Sequence, residues 1–183
     1  MSYALARANR DIKHYPKRLR LLHWTVAALM LPMLIMGFCF GLVSEETGYI
    51  MGQWHVTLGI LLLPAAIAQL IAYSYLPRPN MLDYMSYDNY WFAKLAHFFL
   101  HYAAIAMPVC GMLMCAPELH LIGGIKLPLP FELGKSIRQT LFEVHGTLAT
   151  ITAFVVGAHI LGALKQHFWN KTPTLKGMLS DQE

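Results

Sequence analysis

The sequence predicts an all-α membrane protein, a bundle of four transmembrane helices. Three observations carry that prediction. Charge is scarce: 13% of the 183 residues are Asp, Glu, Lys or Arg, against about 25% in soluble domains. Apolar residues make up 56% of the chain, and the mean hydropathy is +0.44. The charges are also segregated, because four stretches, 21–43, 54–76, 95–117 and 141–164, together hold only one, Glu143. Each stretch supplies the roughly 20 apolar residues that cross a bilayer core as a helix. A water-soluble enzyme, a nucleic-acid binder and a disordered chain are excluded. The formal net charge of +4 therefore asks for a membrane explanation.

Taken in order, residues 1–20 form a basic N-terminal segment with Arg7, Arg10, Lys13, Lys17, Arg18 and Arg20. The first stretch is longer than the roughly 7–15 residue core of a signal peptide and has no A-x-A-like site. It is expected to be a retained span. Its Gly37 and Gly41 make a GxxxG, which serves close helix approach within the bundle or dimerisation. The 44–53 loop has no Lys or Arg. The 77–94 linker opens with Pro77-Arg78-Pro79-Asn80, which stops a helix and starts a turn. The 118–140 segment contains Gly123-Gly124 and Pro128-Leu-Pro130 and reads as a short ordered loop. Pro32, Pro64 and Pro108 sit inside spans, where neighbours can satisfy the freed carbonyls. Cys39, Cys110 and Cys115 all lie in spans, without the C-x-x-C-H of covalent haem attachment, and read as packing residues. With both termini inside, 11 of the 14 Lys and Arg are inside and 3 outside. The positive-inside rule then places both termini in the cytoplasm of a multi-pass protein. The expected organisation is a cytoplasmic segment 1–20, a transmembrane domain 21–169 and a cytoplasmic tail 170–183.

Six of the nine histidines fall within the spans: His23, His55, His97, His101, His145 and His159. An ionisable side chain at membrane depth is a functional hypothesis by default, against the plainer reading of an interfacial His near a helix end. Depth separates the two. On the predicted topology His55 and His145 lie near the outer face, and His23 and His159 near the inner face. The 14 residues from His145 to His159 span about 21 Å of helix and about 1400° of rotation, some 40° short of four turns. One helix thus shows two imidazoles to nearly the same side, each level with a histidine of another span. Facing neutral imidazoles suit the axial positions of haem iron, and bundle cores are where such cofactors sit. The prediction becomes a four-helix bundle with two non-covalent b-type haems between the helices. Gly59, Gly146, Gly157 and Gly162, beside the ligands, would leave room for a macrocycle. A zinc site, which usually wants four ligands, and a metal or proton pathway are the weaker readings. At the inner level His97 and His101 share a helix face. They compete with His23 or His159 as ligands, or serve haem propionates or a quinone headgroup. His14 and His120 read as solvated, and His167 lies at the inner interface.

With these residues in view the sequence resembles the bacterial cytochrome b561 family over residues 18–179. The matching pieces are Arg20-Leu-Leu-His23-Trp24, Trp54-His55-Val-Thr-Leu-Gly59-Ile, Leu95-Ala-His97 and Pro108-Val-Cys-Gly111. Glu143-Val-His145, the step to His159, His167-Phe-Trp-Asn-Lys171 and Thr174-Leu-Lys-Gly-Met178 follow. The resemblance implies a four-helix dihaem cytochrome of the bacterial inner membrane that exchanges electrons with ubiquinone in respiratory electron transport. It also implies His23, His55, His145 and His159 as axial ligands to haem iron, while His97, His101 and His167 stay candidates for contacts to haem propionates or a quinone. Three positions depart from the family pattern. Gln69 stands where relatives often have Arg, Gln166-His167 stands where they often have His-His, and His101 stands where they usually have Tyr.

Three function classes follow. The first is an electron carrier or oxidoreductase linking an outer-face donor to the quinone pool. The second is the cytochrome b anchor of a periplasmic dehydrogenase or reductase, and the third a non-redox metal or proton transporter. One branch of the family resembles superoxide oxidases, which pass an electron from superoxide to ubiquinone. A small anion is steered by a positive funnel. The expected outer loops carry Lys126, Lys135 and Arg138 against Glu45, Glu46, Glu118 and Glu132, a net charge of −1. A protein donor is accordingly preferred to superoxide.

Overall fold

A computed structural model describes residues 14–179. Four long helices dominate it: α1 (Lys17–Cys39), α2 (Glu45–Tyr75), α3 (Tyr87–Cys115) and α4 (Lys135–Phe168). All four are long and apolar enough to cross a membrane, with window hydropathies between 1.8 and 2.1. They pack α1 on α2, α2 on α3 and α3 on α4, as short connections dictate for antiparallel neighbours. Helix α4 lies along α3 but stands off α1 and α2 for most of its length. The core is small, built on Val26, Met33, Leu62, Ala66 and Ala104. Large apolar side chains such as Phe154 and Leu161 point outward. In a bilayer that costs nothing, because lipid is as apolar as the core.

The helices run past the apolar stretches into polar sequence. The expected 44–53 loop is helical, and this is a correction. A 3₁₀ turn at Phe40–Leu42 is separated by Val43 alone from Ser44, whose hydroxyl accepts from Thr47 N at 3.4 Å as the N-cap of α2. Glu45 and Glu46 fill its first turn, where carboxylates complement the helix dipole. Apolarity marks the membrane-facing part of a helix and says little about where its hydrogen bonding begins. The Pro77–Asn80 stop holds: α2 ends at Tyr75, and Asn80 caps a 3₁₀ turn at Met81–Asp83.

The 118–140 loop is ordered, and part of it is a hairpin. Strand β1 (Glu118–His120) pairs antiparallel with β2 (Lys126–Pro128), Leu119 opposite Leu127. Gly123 and Gly124 turn it at φ of 76° and 74°, a region that L side chains rarely adopt. The hairpin is fastened across one end of the bundle. Ile122 N donates to Thr57 Oγ1 at 3.1 Å, Arg138 Nη1 donates to Ala116 O at 3.1 Å, and Leu119 is 1% exposed. Leu119→Ala is expected to cost about 2–5 kcal/mol, as buried leucine truncations do. A lowered midpoint of thermal unfolding in detergent checks it; an unchanged midpoint would mean the hairpin is not part of the cooperative unit.

At the opposite end, α5 (Thr174–Leu179) turns back under the bundle. Trp24 Nε1 donates to Met178 O at 2.9 Å, and the buried Gln166 holds the turn. Its main-chain oxygen accepts from Thr172 N at 2.9 Å and its side-chain oxygen from Asn170 Nδ2 at 3.0 Å. These two ends are the hairpin end and the terminal end below.

Candidate functional site

Helix α4 is unbroken from Lys135 to Phe168 and carries both His145 and His159. At the hairpin end His145 faces His55 of α2 with ring centres 6.2 Å apart and planes at 71°. At the terminal end His159 faces His23 of α1 at 6.3 Å and 60°. The two pairs expected from depth are therefore the pairs that the bundle brings together.

Those separations carry chemical information. A metal–imidazole bond is about 2.0 Å, and the ring centre lies about 1.1 Å beyond the nitrogen. One metal held between two imidazoles therefore puts the centres about 6.2 Å apart. Both pairs match. His97 lies closer to His159, at 5.0 Å and 69°, too short for a shared metal and suited to an edge-on ring contact. Among the described residues no three His, Cys, Asp or Glu side chains converge into a protein-only metal site. Each pair could supply two ligands and would leave the rest of the coordination to another group. A haem macrocycle brings four nitrogens of its own, so the donor set fits it. A Cβ at Gly146, Gly157 or Gly162 would meet no atom within 4 Å, so these positions are unobstructed. Gly59 differs, because it packs against Met33 Cε, 3.3 Å from where its Cβ would be.

The terminal-end pair sits in a polar neighbourhood. His101 engages His97 O through Nδ1 at 2.6 Å, and its ring lies 4.6 Å from that of Tyr73. The Arg78 guanidinium lies over the Tyr73 ring at 3.7 Å from its centre. Tyr15, just ahead of α1, donates to Met81 Sδ at 3.7 Å. Burial first, and then Tyr73 beside it, pushes the Tyr15 phenol above its usual range, with Arg78 opposing. Tyr73 and Arg78 are functional candidates that sequence reasoning missed. Arg78 was legible only as a linker charge, since nothing local says that the chain after Pro77 folds back over α2.

His167 falls elsewhere. It contacts Phe168 and lines a cavity of about 440 Å³ with Lys171, Thr172, Pro173 and Lys176. Gln69 is buried in α2. Gln166 is occupied by the α4–α5 turn. Cys110 donates to Leu141 O at 3.4 Å, a packing role as expected.

A profile of prokaryotic cytochrome b561 matches residues 14–181. Among characterised sequences, a protein of Yersinia pestis described as probable superoxide oxidase CybB is 27% identical over 127 residues. That alignment covers 68% of this chain and 72% of the relative.

Proposed function

The chain belongs to the prokaryotic cytochrome b561 family, and from that premise we propose that it is a dihaem cytochrome exchanging electrons with ubiquinone across the bacterial inner membrane. Its family implies b-type haem and membrane electron transfer. The observation that supports two centres is the pair of imidazole separations, 6.2 and 6.3 Å, on one continuous helix. Haem bound at both pairs supplies one-electron redox chemistry at two depths. The residues' own part is to ligate, through His55 with His145 and His23 with His159, and to keep water away. The buried Leu119 closes the hairpin end, and α5 crosses the terminal end. Both termini are assigned to the cytoplasm by the distribution of Lys and Arg. The terminal-end group of His97, His101, Tyr73 and Arg78 is where hydrogen bonds to a quinone headgroup or a propionate are proposed.

Pyridine haemochrome and protein quantification on one purified sample are expected to give a ratio near two. A ratio of one would refute the two-centre reading. Ubiquinol added to the oxidised protein in liposomes is expected to reduce the haem, and no reduction would refute the quinone link.

The Yersinia relative favours a second reading, superoxide as the donor at the hairpin end. The charges there argue against a strong funnel. Lys126 is paired with Glu118 at 3.2 Å, His120 shares that carboxylate at 3.0 Å, and Arg138 is tied to Ala116 O. Lys135 is exposed. Stopped-flow mixing of the oxidised protein with superoxide is expected to give slow, salt-insensitive reduction. Rapid reduction that slows with salt would show a working basic patch and reverse this ranking. A periplasmic subunit co-purifying with the chain would instead identify the anchor role.

A further inference from the structure

Both hairpin-end histidines lie against a glycine of the neighbouring helix. A Cβ on Gly111 of α3 would stand 3.2 Å from His145 Cε1 and 3.6 Å from its Nδ1. A Cβ on Gly37 of α1 would stand 3.9 Å from His55 Cε1. Four residues before each glycine is a methionine, Met107 or Met33, whose main-chain carbonyl lies one helical turn before that glycine. The spacing has a physical basis. In an α-helix the carbonyl of residue i−4 accepts from the N–H of residue i, so it lies beside that residue's side chain. A carbonyl has a second lone pair, and glycine at position i leaves it open to a neighbouring helix. The contact stops short of a closed hydrogen bond, because Nδ1 of both histidines is buried without a partner in that geometry. At the terminal end His23 meets Trp24 at 5.3 Å and His159 meets His97 at 5.0 Å, while at the hairpin end His55 also meets Phe40 at 5.7 Å.

We propose that Gly111 and Gly37 are positioning residues for the hairpin-end centre. By lacking side chains they let His145 and His55 rest on bare backbone, where the Met107 and Met33 carbonyls attract the Nδ1 protons and leave each Nε2 to the metal. This rests on the dihaem reading and adds to it what sets tautomer and ring orientation. A metal-bound histidine ordinarily gives its other ring N–H to a carboxylate or a carbonyl, which also raises its basicity as a ligand. Here the acceptor is main chain, so the sequence carries the device only as two absent side chains. The two positions are graded. At 3.2 Å an added methyl forces the His145 ring to yield, whereas 3.9 Å is ordinary contact. Gly37 thereby gains a role that neither reading of the GxxxG supplied.

The test is a redox titration of the purified haem-loaded protein, after the haem-to-protein ratio has been measured. Wild type, Gly111→Ala and Gly37→Ala are compared, with His55→Ala identifying the terminal-end component by what it retains. In Gly111→Ala the hairpin-end component is expected to titrate at higher potential, because a less basic ligand favours ferrous iron, or to be lost alone. The terminal-end component stays where it was, and Gly37→Ala moves the hairpin-end midpoint less. Midpoints and low-spin electron paramagnetic resonance signals in Gly111→Ala identical to wild type would overturn the proposal. Should Gly111→Ala not fold, wild-type protein labelled with ¹³C at its methionine carbonyls decides. A label-sensitive amide band is expected in the reduced-minus-oxidised infrared spectrum as the hairpin-end component titrates, and its absence overturns the proposal. A wild type lacking haem at the outset refutes the dihaem reading instead, so the two failures are distinguishable.

Discussion

On the proposed two-haem reading, His145→Ala is expected to remove one haem outright, dropping the haem-to-protein ratio from near two to near one. The hairpin-end site has no reserve. His55 and His145 face each other at 6.2 Å, and every other histidine within the four apolar stretches, His23, His97, His101 and His159, belongs to the terminal-end group. His55→Ala is expected to give the same loss, because one imidazole cannot supply both axial positions. The remaining haem should keep its spectrum, since His159 lies about 21 Å from His145 along α4 by helix rise. Optical spectra of the reduced variants check the result, and size-exclusion behaviour in detergent controls for folding. Full retention of both haems in His145→Ala would show that the facing pairs are not the ligands.

The second large effect is an asymmetry at the terminal end. His23→Ala is expected to retain a fraction of its haem, whereas the double variant His23→Ala/His97→Ala loses that haem completely. The reason is geometric. The His97 ring centre already lies 5.0 Å from that of His159, and it needs to withdraw only about 1.3 Å further to match the 6.3 Å of the native pair. Haem quantification on the single and double variants decides it. Equal ratios near one in both would mean that His97 holds no reserve, and that its role lies in packing its ring edge against His159.

The Arg78–Tyr73–His101 group places a positive charge at the terminal-end level. The Arg78 guanidinium lies over the Tyr73 ring, and that ring meets His101 at 4.6 Å. All three side chains are half-buried, and a group of this kind transmits substitution effects because its members share partners.

The sequence by itself determined the four spans and the two levels of histidine. Both are properties of a single helix: apolar length against bilayer thickness, and 14 residues against 3.6 per turn. Neither needs knowledge of what lies opposite. Only the tertiary structure decided which histidine meets which. His23, His97 and His101 all stood at the right depth, and the choice among them depended on how α1, α3 and α4 rotate about their axes and how closely they approach. It likewise decided that the 44–53 segment is helix, that Gly123-Gly124 turns a hairpin, and that Arg78 folds back. Gly111 could be seen in the sequence only as a residue in a matching motif, and Gly37 only as half of a packing motif. The shared reason is physical. Periodicity records the direction in which a side chain leaves its own helix, whereas ring-to-ring distances and exposed carbonyls are set by contacts between helices far apart in the chain, which no local pattern encodes.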